Sequence, residues 1–317
     1  MAEKRLTGVE PFNDFVFRSC YYHQLVAGLT SLGVEKDGIL LNWFIFMHDD
    51  FVTEGREFFT DRALQKALGY RVKKCNINRK KLLRSIDDGK PVIVGVDSYY
   101  LESRPETYQK CHSLHFILAY GYNEEQDTID AVDHSYRNGM YVQKSLSMQN
   151  VLYASRMQHQ GVNKSRYACR ILQKAQKDES KPLLIWRHIP LSDLEKSRAF
   201  SVKNLAELKR LFAHDTAVLA EKSVAIERYC KEMKDFYFTL SKTAPFAAPE
   251  FSAAVVGLIG AYNTLVSLFW KMHTKNNFVN TGEALEKILR RIDELGRLEE
   301  KVYTRMREVC LCARTEK

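Results

Sequence analysis

Three residues far apart in the chain, Cys20, His115 and Asp133, supply a nucleophile, a base and an acid. Cys20 opens a segment, 20–32, in which Leu25, Leu29 and Leu32 recur at helical spacing and Gly33 is placed to end the helix. A thiol at a helix N-terminus meets unpaired backbone N–H groups and the positive end of the helix dipole, and both favour the thiolate. A single cysteine is more often a small buried apolar residue, so Cys20 alone decides nothing. His115 heads the apolar strand Leu114–Tyr120. The polar turn Asn123–Asp127 folds that strand back into a second one, and the return brings Asp133 beside His115. A carboxylate there would fix the imidazole tautomer and stabilise the imidazolium formed once the thiol proton has moved. The three together point to nucleophilic catalysis by a cysteine triad.

Other residues compete for these roles. His112 and His115 have the spacing of a metal pair, but no third ligand is spaced to match, and no metal is expected. His134 on a strand faces away from the side of Asp133, and Cys111 lies in a polar loop. The oxyanion of an acyl intermediate needs donors. The backbone N–H of Cys20 is one, and Asn13 is the nearest side-chain amide upstream. His23, one helical turn from Cys20, is placed to shape the pocket. Asp97, ending the strand Pro91–Val96, is either a pocket wall or a sheet-end hydrogen-bonding residue.

The elements that must position these residues alternate at first. Helices are expected over 20–32, 39–47, 61–68 (capped by Thr60) and 79–87, with strands over 70–77, 91–96, 114–122 and 128–132. Tyr141-Val142 adds a strand, and Ser147 is a cap for a helix through Tyr153. Residues 157–180 read as polar and basic, and 182–189 as one further strand. Beyond them come three long helices, 202–240, 250–273 and 283–309. Helices followed by an antiparallel sheet make the fold class α+β. The expected division is a catalytic domain over 1–156, a linker over 157–190 and an all-α domain over 191–317.

Composition narrows the class. Apolar residues at 45% and charged residues at 27% are those of an ordinary globular protein. The net charge of +9 favours an acidic partner, yet no basic stripe with interleaved aromatics appears, which argues against nucleic acid. Seven cysteines with no CxxC pair are expected to be reduced thiols, and Cys310-Leu-Cys312 is too tight for a zinc knuckle. The start, Met-Ala-Glu-Lys-Arg, lacks the apolar run of a signal peptide, so a cytoplasmic protein is expected. Phe251–Trp270 carries no charge and could span a bilayer, but its scattered polar and small residues favour a buried bundle helix over a membrane segment. An uncharged face on that helix could also bury against a partner subunit.

The runs Pro91–Leu101, His112–Tyr122 and Ile129–Asp133 resemble the butirosin biosynthesis protein H family, which is similar to the C39-type, papain-like cysteine peptidases. The resemblance covers roughly residues 12–155 and implies a papain-like N-terminal domain. It implies Cys20 as nucleophile, His115 as base and Asp133 as orienting acid. It also implies transfer of an acyl group from an acidic acyl or peptidyl carrier protein to a small-molecule amine, in antibiotic biosynthesis. No cofactor of its own is expected, phosphopantetheine being carried on the partner. A peptidase, amidase or thioesterase of the same fold is the nearest rival, and an inert carrier-binding module the next.

Overall fold

Alternating and continuous apolar runs in the first half, and long helical periods in the second, dictate a mixed α+β chain, and the computed structural model has that architecture. It describes residues 3–13, 19–57, 61–135, 139–158, 168–177, 185–242, 249–275 and 283–315. In chain order the elements begin with β1 (Glu3–Arg5), α1 (Cys20–Ser31), α2 (Asp37–Leu41), β2 (Trp43–Met47), β3 (Thr53–Glu57), α3 (Asp61–Leu68), β4 (Tyr70–Cys75), α4 (Arg79–Asp87) and β5 (Val92–Asp97). A 3-10 turn over Ser98–Tyr100 leads to β6 (Leu114–Asn123), β7 (Thr128–His134), β8 (Tyr141–Ser147), α5 (Met148–Gln158) and β9 (Cys169–Lys174). The chain ends in α6 (Ile185–His188), α7 (Leu191–His214), α8 (Thr216–Ser241), α9 (Pro249–Lys275) and α10 (Glu283–Thr315).

The chain forms two compact units. The first comprises Met1–Lys36 and Asp61–Leu183 and is built on an antiparallel sheet of order β4-β9-β5-β6-β7-β8, with β1 added beside β6. Its core joins Val92, Val94, Val96, Ile117 and Ile129 of the sheet to Leu82 and Ile86 of α4 and Val151 and Ala154 of α5. Helix α1 packs closely on the sheet at Gly28, where a Cβ would lie 2.5 Å from Leu172 and 3.1 Å from Leu118, so a larger residue would force the leucine side chains to shift. The expected turn at 123–127 is present: the Asn123 side chain accepts from the N–H of Gln126, and Asp127 adopts φ +50°. Ser147 caps α5 by accepting from the N–H of Asn150 at 3.2 Å.

The second unit comprises Asp37–Thr60 and Leu184–Lys317. Here the β2–β3 hairpin lies against helices: Ser197 accepts from the N–H of Met47, and the Asn204 amide donates to the carbonyl of His48. Glu299 is buried among α7, α8 and α9, accepting from Ser201, from Tyr237 at 2.9 Å and from Tyr262 at 2.6 Å. Helix α9 is long and apolar enough from Phe251 to Lys271 to cross a membrane by length and composition, with 33% of that window buried. One face, through Val255, Leu258, Tyr262 and Phe269, is in the core, whereas Val256 and Trp270 are exposed. Helix α9 therefore buries one face and exposes the other.

Four expectations are corrected. Residues 39–47 are not one helix: α2 stops at Leu41, and Trp-Phe-Ile-Phe-Met forms β2, as aromatic and β-branched residues prefer. Residues 185–188 are helical rather than extended, and 182–184 lie outside the described residues, as does Thr60. The additional strand is β9, inside the stretch read as polar, where pairing to β4 on one side and β5 on the other compensates for a weak pattern. The long segment 202–240 is divided at Asp215, whose side chain accepts from the N–H of Val218 and starts α8. Residues 37–60 cluster with the C-terminal helices.

Candidate active site

Cys20 is the first residue of α1, and Ser19 before it is extended and makes no side-chain cap, so no hydroxyl competes for the helix's free N–H groups. The β6–β7 ladder ends at Leu118–Val132, while β7 stays paired with β8 through His134–Tyr141. Beyond that point the backbone groups of Phe116 meet α1 instead. Gln24 donates to the carbonyl of Phe116 at 3.2 Å, and the N–H of Phe116 hydrogen-bonds the Cys20 sulfur, as does the N–H of Tyr21. Helix α1 thus docks where two strands part, and that docking sets Cys20 beside His115.

His115 hydrogen-bonds the Cys20 thiol. Its Nε2 lies 2.7 Å from Asp133 Oδ1, which also accepts from the N–H of His134 at 2.7 Å. Oδ2 of Asp133 accepts from Lys144 Nζ at 2.8 Å, and the same ammonium reaches the carbonyl of His134 at 2.8 Å. Arg104 Nη1 lies 3.0 Å from Nε2 and 3.4 Å from Nδ1 of His115, a position over the imidazole rather than along one lone pair. Its Nη2 pairs with Glu106 at 2.5 Å.

The charges follow. Burial pushes the Asp133 carboxyl up, but His115 and Lys144 pull it down to about 2. Burial opposes a charge on His115, and the bonds to Asp133 and Cys20 outweigh it, raising its pKa. Burial likewise raises the Cys20 thiol, yet His115 and the two backbone N–H groups bring it below the ordinary value. A lowered thiol beside a raised imidazole eases transfer of the thiol proton to His115 relative to the free groups.

The structure therefore brings Cys20, His115 and Asp133 into one hydrogen-bonded chain. The remaining sequence candidates stand around it or apart. Asn13 binds both backbone groups of Tyr141, accepting at 2.6 Å and donating at 3.1 Å, which ties the N-terminal segment to β8. His23 is buried, with Nδ1 2.8 Å from the carbonyl of Phe12 and its ring stacked on Tyr141. Asp97 belongs to the end of the sheet: it accepts from the N–H groups of Tyr99 and Ser113 and pairs with His112 at 2.7 Å. Gln24, Arg104 and Lys144 also stand at the site. Only Gln24 left a signal, one helical turn beyond Cys20 on the same face.

Residues 43–134 match the family model described as butirosin biosynthesis protein H, N-terminal. Over that stretch the chain is similar to this family. The match holds His115, Asp133 and Arg104 of the site, whereas Cys20 and Lys144 lie outside it. No curated protein matches the chain. The matched stretch runs from the β2–β3 hairpin through the His115–Asp133 pair, so it takes in the strand ends that hold the imidazole.

Proposed function

We propose that the protein is a cysteine-nucleophile acyltransferase of antibiotic-type secondary metabolism, moving an acyl group from a carrier-protein thioester to a small-molecule amine. The observation that carries the reading is the chain Cys20–His115–Asp133, with the sulfur at a helix N-terminus and its thiol pKa depressed. The family's printed name supports the biosynthetic setting. In the first half-reaction the Cys20 thiolate attacks the thioester carbonyl. The carrier thiolate leaves with the proton held by His115, and an acyl-Cys20 thioester remains. In the second, the amine attacks that carbonyl, its proton passes to His115, and Cys20 leaves as thiolate. Asp133 keeps His115 oriented in both halves. The N–H of Cys20 at the start of α1 is the first oxyanion donor in this scheme.

An acidic carrier protein fits the net charge of +9, and the reading places the enzyme in the cytoplasm with no metal or cofactor of its own. Intact-mass analysis after incubation with an acylated carrier protein tests it. An acyl adduct that forms on the wild type, is absent from Cys20→Ala and passes to an amine is the expected result. Release of the free acid alone would assign a hydrolase, and no adduct at all would leave a carrier-binding module.

A further inference from the structure

One cation on the rings that flank the start of α1 plays no part in that mechanism. Arg170, on β9, lies over the rings of Tyr21 at 4.6 Å and Phe116 at 5.1 Å. Those rings are themselves edge-to-face, 5.5 Å apart. Tyr21 and Phe116 are also the two residues whose backbone N–H groups touch the Cys20 sulfur. Tyr21 directly follows Cys20 in α1, so the guanidinium rests on the ring of the residue next to the nucleophile.

Stacking uses the faces of a guanidinium and leaves its five N–H donors in plane and unspent. Among the described residues no carboxylate or carbonyl takes them, although Arg104, on the other side of the site, is paired with Glu106. Asp61 is near enough to be felt at the Tyr21 hydroxyl but makes no ion pair with Arg170. Arg170 is half-buried, so its donors are only partly hydrated. Its cross-strand neighbour on β4 is Lys74, which is exposed and extends the positive surface outward from the sulfur. A planar donor fork, fixed by two rings and lacking a counter-ion, is built to receive an oxyanion.

We propose that Arg170 is an anion-binding subsite beside Cys20, taking a phosphate or carboxylate group of the incoming acyl donor. The donor's identity as a thioester rests on the function proposed above; the subsite itself does not. Two chemistries share it: the phosphate of a phosphopantetheine arm, and a carboxylate on the acyl group.

The substrate-free test compares alkylation of Cys20 by iodoacetate with alkylation by neutral iodoacetamide. Arg170→Gln should lower the iodoacetate-to-iodoacetamide rate ratio about tenfold, while Arg170→Lys keeps most of the ratio. In the wild type, inorganic phosphate should slow the iodoacetate reaction more than the iodoacetamide one, a result that needs no variant to fold. A ratio unmoved by Arg170→Gln, or equal effects of phosphate on both reagents, overturns the subsite. The source of the anion is read from acyl transfer to Cys20. A loss in Arg170→Gln confined to phosphopantetheine thioesters over pantetheine thioesters assigns the phosphate. A loss confined to carboxylate-bearing acyl groups assigns the acyl chain, and no loss for either overturns Arg170 as a donor site. If the wild type accepts no thioester, the transferase reading fails while the alkylation ratio still decides Arg170.

Discussion

At the scale of single residues, the site turns on how one carboxylate is shared. Asp133 is fully buried, and its two oxygens face different cations: Oδ1 the imidazole of His115, Oδ2 the ammonium of Lys144. Lys144 neutralises part of the charge that His115 feels, so it restrains the rise in the imidazole pKa that Asp133 causes. Arg104 over the ring acts in the same direction, while Cys20 opposes it; His134 and Tyr141 complete the ionisable neighbours. Lys144→Met should therefore raise the His115 pKa and move the alkaline limb of Cys20 alkylation to higher pH. It should also leave a buried carboxylate oxygen unpaired, at a stability cost of about 1–3 kcal/mol. Lys144→Arg restores both. The pH profile of alkylation and urea unfolding check the pair of effects, and a profile identical to the wild type would remove Lys144 from the site. Cys20, His115 and Asp133 were legible because a thiol, an imidazole and a carboxylate have few partners that make chemical sense. Lys144 and Arg104 were not: a lysine on an outer strand and an arginine in a loop look in sequence like any solvated cation.

At the scale of elements, the position of the sulfur depends on how closely α1 lies on the sheet. Gly28, two turns beyond Cys20, is a point of close approach, facing Leu172 of β9 and Leu118 of β6. Gly28→Val overfills that gap and should cost about 1–3 kcal/mol. As α1 lifts, the N–H of Phe116 loses the sulfur, and the thiol should titrate nearer its ordinary value. Leu172→Ala in the same chain makes room and should recover part of both losses. Recovery of stability without any change in thiol titration would show that α1 is not positioned by this contact. The hairpin that delivers His115 and Asp133 could be read from alternation and the 123–127 turn. The parting of β6 from β7 could not, since it arises because Cys20 and Gln24, a hundred residues upstream, take the backbone groups that a strand would have taken. Strand β9 was hidden for a related reason: a six-residue segment containing Arg170, Gln173 and Lys174 is made a strand by neighbours on both sides.

At the scale of the whole molecule, each unit buries a carboxylate, and the two titrate in opposite senses. Asp133 is held between cations and falls from 3.8 to about 2. Its stabilisation is full above the unfolded pKa and is lost as pH falls through the folded one, an effect of about 2 kcal/mol. Glu299 is fully buried, and burial raises its pKa above 4.5 against the opposing bonds from Ser201, Tyr262 and Tyr237. Its contribution is therefore present below pH 4.5 and is lost as pH rises through the raised folded value. Asp235, pushed up to about 6 by burial, and His115, raised from 6.5, add to the same alkaline-side loss. Stability should accordingly peak in mildly acidic solution and decline on both sides. Glu299→Gln separates the terms, because the amide oxygen can accept from Tyr237 and Tyr262 and the amide N–H can donate to Ser201, with no charge to desolvate. Urea unfolding should show Glu299→Gln stabilised by about 1–3 kcal/mol at pH 8 and little changed at pH 4.5, flattening the alkaline side of the curve. Equal destabilisation at both pH values would mean that the hydroxyl donors hold a carboxylate better than burial opposes it, and the pH maximum would then have to come from Asp133, Asp235 and His115 alone.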